Sequence, residues 1–273
     1  MQTYINKKFN LIIPLKFENL KRYGGNGDGG YVCESSLIKG TDILISFGMG
    51  SDWSFELDCI KDNSKVKIFM YDHTVTILPY LKDVLKYFKR FITLRGKPNA
   101  LNNRVKNLKD YLSFVFLKNV FFYKEKIIKK KINKREANIE KVFERIDEKN
   151  NTKEKSITLK CDIEGSEFDI IEDIIKYSHR INTLIFEFHW LNQNEEIFLD
   201  VIKKLQKKFV VAHIHGNNHC DKLSNGLPEA LEMTLINKKF APRKKILITS
   251  FPIEGLDMPN NPNKEDLYFQ FSV

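Results

Sequence analysis

Between residues 43 and 72 two short apolar runs each end in residues that suit a turn better than a strand interior. Ile43-Leu44-Ile45-Ser46-Phe47 leads into Gly48-Met49-Gly50-Ser51-Asp52, and Lys67 to Tyr71 leads into Asp72. Runs of this length bounded by turn residues read as buried strands. A parallel strand feeding a glycine turn, with an acidic residue about 20 positions on, is the frame of α/β sites that hold an adenosine-bearing cofactor. The glycines let the backbone approach a ligand, and the acid accepts ribose hydroxyls. This pattern steers the chain toward an open α/β sheet and leaves the cofactor's identity open.

A dinucleotide fingerprint carries a third glycine beneath the pyrophosphate, and here Trp53 holds that place, which weighs against NAD. S-adenosylmethionine has no phosphate to cradle and needs only the turn and the acid. The same residues also serve an ordinary strand-to-helix turn. A second motif tips the balance. Ile157 to Cys161 is another apolar run, delivering Asp162-Ile163-Glu164-Gly165-Ser166-Glu167 to a strand end, followed by Phe168, Ile170, Ile171, Ile174 and Ile175 at helical spacing. Thr183 to Phe188 continues as a strand into His189 and Trp190, with Glu187 and His189 on one face by the period of two. Phe209 to Ile214 ends in His213-Ile214-His215-Gly216-Asn217-Asn218-His219. Four predicted strands thus finish in polar residues, where an open α/β sheet places its ligands.

Taken together, Asp28-Gly29-Gly30-Tyr31, Ser46-Phe47-Gly48-Met49-Gly50 with Phe55-Glu56, Tyr71-Asp72-His73-Thr74 and Lys160-x-Asp162-x-Glu164-Gly165-x-Glu167 resemble the FkbM-type methyltransferases that use S-adenosylmethionine. The resemblance spans roughly residues 20–240, and its most specific part is the Lys-x-Asp-x-Glu-Gly-x-Glu run combined with the glycine turn. It implies a Rossmann-like class I methyltransferase sheet with helices on both faces and an antiparallel strand near the end, at Glu229 to Asn237. It also implies S-adenosylmethionine lying across Gly48, Gly50, Asp72 and Asp162, with Tyr31, Phe47, Ser54, Glu56 and His73 beside it. The implied reaction is O-methylation of a sugar hydroxyl, on a nucleotide-linked sugar such as a heptose destined for a bacterial capsule or surface polysaccharide. Residues 99–150 do not match a minimal core and read as a basic helical insert concerned with the acceptor.

The chain of 273 residues, 42% hydrophobic, is long enough for one domain with a sizeable core. Its start lacks a secretory apolar region and no run is long enough to span a bilayer, so the expected location is the cytoplasm. Cys33, Cys59, Cys161 and Cys220 are scattered without paired spacing and read as reduced, buried thiols. The net charge of +10 gathers between Lys118 and Arg135, next to Leu112, Phe114, Phe116 and Phe121. This stretch reads as a solvated helix, as a membrane-surface contact through residues 112–135, or as a positive rim for an anionic acceptor. No nucleic-acid module accompanies it. Five of the 13 glycines fall between Gly24 and Gly30, so residues 21–32 read as a loop, folded over the cofactor rather than serving as a flexible connector.

Methyl transfer to an alcohol needs near-attack geometry and a base for the departing proton. Asp162, Glu187, His189 and His215 are the candidates. His189 or His215 is favoured as base because an imidazole titrates near neutrality, with Asp162 close to the methyl or the acceptor hydroxyl. His73 reads as a residue beside the ribose and His179 as a surface residue. The same four candidates would be the ligands if a divalent metal assisted, although their spacing is not diagnostic and no metal is expected. Two rivals are an NAD-dependent sugar oxidoreductase, for which no Tyr-x-x-x-Lys pair stands in place, and a membrane-surface adaptor resting on the basic stretch.

Overall fold

The structure is a computed structural model that describes residues 3–93, 98–130, 133–150 and 155–272. Seven strands make the central sheet: β1 (Ile43–Phe47), β2 (Lys67–Tyr71), β3 (Val120–Tyr123), β4 (Ile157–Cys161), β5 (Ile181–Phe188), β6 (Phe209–Gly216) and β7 (Leu231–Asn237). Their order is β6-β7-β5-β4-β1-β2-β3. All neighbouring pairs run parallel except the two made by β7, which lies antiparallel between β5 and β6. Parallel neighbours need helical crossovers. These come from α1 (Ser54–Asp62), α2 (Ile77–Ile92), α3 (Pro98–Val115), α4 (Ile139–Asn150), α5 (Glu167–Lys176) and α6 (Leu191–Leu205).

The period of two along the strands builds two cores. Ile43, Ile45 and Phe47, with Leu159 and Phe186, pack toward α4, α5 and α6, whereas Leu44, Ile68, Met70 and Ile185 pack toward α1 and α3. Both faces are therefore covered, as strands that are apolar on both sides require.

Residues 99–150 depart from the expected helical insert. They contain α3, the edge strand β3 and the core helix α4, whose Ile139, Val142, Phe143 and Ile146 are buried. The lysines around Val120–Tyr123 mask a strand that pairs on one side only, where Phe121 packs on Phe69 and Tyr123 stacks on Tyr71. The apolar residues of the 112–135 stretch are mostly spent inside. Phe114 and Val120 are buried, Leu112, Val115 and Leu117 pack against the core, and Phe116 alone among these projects, 79% exposed. The unpartnered apolar face belongs instead to α2, none of whose residues is buried.

The glycine-rich segment 21–32 is also only partly a loop. Leu20–Tyr23 and Tyr31–Glu34 pair as an antiparallel hairpin, and residues 24–30 form its tip. Arg22 donates to the carbonyls of Gly25 (3.0 Å) and Gly27 (2.7 Å), which fixes the tip rather than leaving it a flexible connector. A strap over residues 250–272 lies against β6, with Asp257 at His213 and Asp266 at His215, and its Phe251, Phe269 and Phe271 join the core.

Candidate functional site

The carboxyl ends of β1 to β4 open into a cavity of about 610 Å³ lined by Gly48 to Asp52, Asp72 to Thr74, Glu125 to Ile127, and Lys160, Asp162, Ile163, Glu164 and Ser166. This volume lies in the roughly 300–1,000 Å³ range of small-molecule sites. The strand order reverses between β1 and β4, and open α/β sheets bind ligands at such a switch point. The turn after β1 allows no side chain at its first glycine. Gly48 has φ +72°, and a Cβ there would fall 1.6 Å from the Asp162 carbonyl oxygen. Lys160, buried under the turn, donates to the Gly48 carbonyl at 3.0 Å. Burial lowers its pKa, but the charges of Glu56, Asp162 and Glu187 outweigh that and hold it protonated.

Asp72 stands at the expected place and lines the cavity, but its carboxylate is already engaged. Oδ2 accepts the amides of Met49 and Gly50, both at 2.9 Å, and Oδ1 accepts the amide and hydroxyl of Thr74 and the amide of Val75. Five donors meet about four lone-pair positions. Burial raises its pKa, yet these hydrogen bonds win and hold it below the ordinary carboxylate range. Asp72 therefore pins the turn, and a ribose hydroxyl would replace one of the five, the Thr74 rotor being the most exchangeable.

Of the other expected cofactor residues, Gly50 and His73 line the cavity, and so do Asp28 and Gly29 at the hairpin tip. Phe47, Ser54 and Glu56 do not. Phe47 is fully buried and packs edge-on against Tyr71. Ser54 accepts the Gly25 amide at 2.9 Å and so ties the hairpin tip to α1. Glu56 is fully buried, accepts the Ser46 hydroxyl and lies 3.9 Å from Lys160. All three point into the protein because the period of two and the helix phase turn them away from the strand ends. Tyr31 is buried behind the cavity, where its hydroxyl lies 3.0 Å from Asp162 and 3.2 Å from Glu187.

The loop after β4 turns through Glu164, in left-handed backbone at φ 56°, and Gly165, where a Cβ would lie 2.0 Å from the Trp190 ring. Trp190 also has positive φ, 53°. Among the described residues these are the two non-glycine positions of this kind, and such strain gathers at ligand sites. Glu167, fully buried, organises the loop: its Oε1 accepts the amides of Ile163 and Gly165, each at 3.1 Å, and meets His189 Nδ1 at 2.9 Å. With the Nδ1 proton directed at Glu167, Nε2 faces Glu164 at 3.6 Å, Glu187 at 3.7 Å and Asp162 at 3.9 Å. Burial lowers the His189 pKa, but the Glu167 hydrogen bond and the carboxylates together raise it above its ordinary value. Burial, reinforced by Asp162 and Glu232, raises Glu187 strongly. Glu187 is held by the Asn217 amide at 2.7 Å and sits behind Asp162. Glu167 and Asn217 were outside the expected site. The repeated carboxylates after β4 are the signal for Glu167, whereas nothing local marks Asn217.

His215 does not join this group. It is buried, its Nδ1 meets Glu232 at 3.2 Å and its Nε2 meets Asp266 at 3.1 Å. Burial lowers its pKa, but these two hydrogen bonds push it up to about 10. With both nitrogens committed, it is neither base nor metal ligand. His213 lies likewise against Asp257. Among the described residues, the three groups placed to share a cation are Asp162, Glu164 and His189, whose ligand atoms lie within 4.8 Å of one another; of the expected set, Glu187 stands behind them and His215 is held by Glu232 and Asp266. Lys124, Lys126, Lys134 and Arg135 line a neighbouring groove that meets the cavity at His73.

The sheet order, the antiparallel β7 and the cavity at the β1/β4 switch define the Rossmann-like fold of class I methyltransferases. No protein-family model matches the chain, and no curated protein matches it in sequence. Among solved structures it is similar to an rRNA methylase from Streptococcus thermophilus, at 13% identity over 74% of this chain and 93% of that one, with a TM-score of 0.38. It is also similar to a precorrin-6y C5,15-methyltransferase from Geobacter metallireducens, at 13% identity, 74% and 83% coverage and TM-score 0.35. A third is the fibrillarin pre-rRNA processing protein of Methanococcus jannaschii, at 11% identity, 74% and 69% coverage and TM-score 0.37.

Proposed function

We propose that the chain is an S-adenosylmethionine-dependent O-methyltransferase of FkbM type, built as one domain, with a sugar hydroxyl as acceptor. The observation that carries this reading is the charge of the switch-point cavity. In a protein of net charge +10, the cavity is lined by the carboxylates of Asp28, Asp52, Asp72, Asp162 and Glu164, with Glu125 neutralised by the Arg145 guanidinium, against only Lys126 and Lys160. Asp52 already accepts the Ser54 amide at the start of α1, at 2.8 Å, so an anion occupies the place that a dinucleotide's pyrophosphate would need. Such a lining favours a ligand bearing positive charge over NAD.

S-adenosylmethionine supplies a methyl group activated by a sulfonium. The residues that would hold it are Gly48 and Gly50 by backbone, Asp72 by exchange of one hydrogen bond, and Asp28 and Gly29 at the lip. His189 Nε2 takes the proton of the acceptor hydroxyl while Nδ1 donates to Glu167. Asp162 and Glu187 stabilise the imidazolium that forms. Trp190, 47% exposed beside His189, offers an aromatic face to a sugar ring. The groove of Lys124, Lys126, Lys134 and Arg135 supplies charge for a diphosphate on a nucleotide-linked acceptor.

Isothermal titration tests the cofactor. S-adenosylhomocysteine is expected to bind in the micromolar range and NAD not at all, with binding lost in Asp72→Ala. Heat with NAD and none with S-adenosylhomocysteine overturns the reading. Transfer of labelled methyl to nucleotide-activated sugars, abolished in His189→Asn, tests the acceptor class.

A further inference from the structure

We infer that α2 is an interfacial helix that docks the protein onto an anionic lipid surface. Its Ile77, Leu78, Leu81, Leu85, Phe88 and Ile92 recur at helical spacing and form one stripe along 16 residues. All six are exposed, Ile92 to 62% and Leu85 to 59%. With Phe91, seven of the fifteen large apolar side chains exposed among the described residues stand on this one helix. A soluble surface scatters such residues singly, and their concentration on one face marks an interaction site.

The helix is anchored by its other flank, which leaves the stripe facing outward. Tyr80 stacks on Tyr111 of α3 at 4.8 Å, and Arg104 of α3 lies over the Tyr87 ring at 4.9 Å and 3.8 Å from Asp83. At 100° per residue, Tyr80, Asp83 and Tyr87 fall together on the side facing α3, and the apolar stripe falls next to them. Beyond the stripe's far edge come Lys82, Lys86 and Lys89, all exposed, followed by Arg90.

Charge selects the occupant. Asp83 is the helix's single acid and is engaged by Arg104, so the free charge of α2 is entirely basic. An apolar stripe bordered by lysines is the pattern of helices that lie in the headgroup region, apolar face inserted and ammonium groups on anionic lipid. Pro79, Tyr80 and Asp83 line a small cavity with Gly50, Ser51 and Thr74, three residues of the main cavity. Docking through α2 would therefore set the mouth of the candidate site beside the bilayer. This proposal does not depend on the methyltransferase reading.

Flotation of the whole protein with vesicles is the test. It is expected to float with phosphatidylcholine vesicles containing phosphatidylglycerol and to stay behind with phosphatidylcholine alone, with binding weakened by added salt. Each of Lys82→Gln, Lys86→Gln and Lys89→Gln should weaken partitioning about fivefold. Leu85→Glu/Phe88→Glu, at exposed positions, should abolish flotation while the melting temperature stays at the wild-type value. Wild-type protein that ignores anionic vesicles overturns the proposal, whatever the variants do. So does a concentration-dependent dimer in analytical ultracentrifugation that Leu85→Glu/Phe88→Glu dissolves, because the stripe would then be a contact between copies.

Discussion

His189 takes its character from Glu167. Burial alone would keep the ring neutral, but a hydrogen bond at 2.9 Å to a fully buried carboxylate, with Glu187 and Asp162 behind it, raises its pKa. A base with a raised pKa is protonated near neutrality and gains proton-accepting form only as pH rises. Methyl transfer is therefore expected to climb with pH through the alkaline side of neutral, and His189→Asn should lower kcat by about 10²–10⁴ while S-adenosylhomocysteine binds normally. Glu167→Gln keeps an acceptor for the Ile163 and Gly165 amides and removes the charge. Its pH–rate profile should move toward acid, whereas loss of a merely structural residue would lower the rate equally at every pH. At this scale the sequence is readable where chemistry and position coincide: Asp162, Glu187 and His189 close adjacent strands. It misleads at His215, an equally plausible imidazole, because Glu232 and Asp266, which neutralise its role, lie 17 and 51 residues away.

Among the elements, the turn after β1 carries the sharpest geometric demand. At Gly48 a methyl group would lie 1.6 Å from a backbone oxygen, whereas at Gly50, also of positive φ, it would meet nothing within 4 Å. The two glycines are therefore not equivalent. Gly50→Ala should carry only a backbone cost of about 1 kcal/mol. Gly48→Ala must in addition push β4 away from β1, so it should cost clearly more in urea unfolding and reduce S-adenosylhomocysteine affinity at least tenfold. That turn and strands β1, β2, β4 and β5 were legible because short apolar runs ended in polar residues. Strand β3 was not, since Phe121, Phe122 and Tyr123 sit among lysines and gain their strand identity from Phe69 and Tyr71, which lie some way back in the chain. Helix α2 was not among the elements read from the sequence, and which side of it stays bare depends on α3, which is settled only by packing.

Across the whole molecule, a rise in pH above neutral is expected to act on stability and on the proposed methyl transfer in opposite directions. His215 is buried on β6, with Glu232 of β7 and Asp266 of the strap on its two nitrogens and Asp257 near it beside His213. Its folded pKa of about 10 exceeds the ordinary 6.5. A raised histidine contributes stability that is complete below the unfolded value and disappears as pH rises through the folded one. Asp257 works in the other sense: burial raises its pKa, but the His213 and His215 charges hold it below the ordinary range, so its contribution is lost on acidification. The strap also reaches the candidate site, since Asn260 donates to Glu232 and to Asp28 at the glycine tip. Alkali that deprotonates His215 is therefore expected to loosen the lip of the cavity under the same conditions that deprotonate His189. The melting temperature of the wild-type protein should fall between neutral pH and about 10, while that of His215→Gln, lower throughout because it leaves buried carboxylates without a cation, should fall less over the same range. Initial methylation rates should rise and then collapse where the melting curve drops. If the two proteins melt in parallel across this range, the charged His215 does not hold the strap.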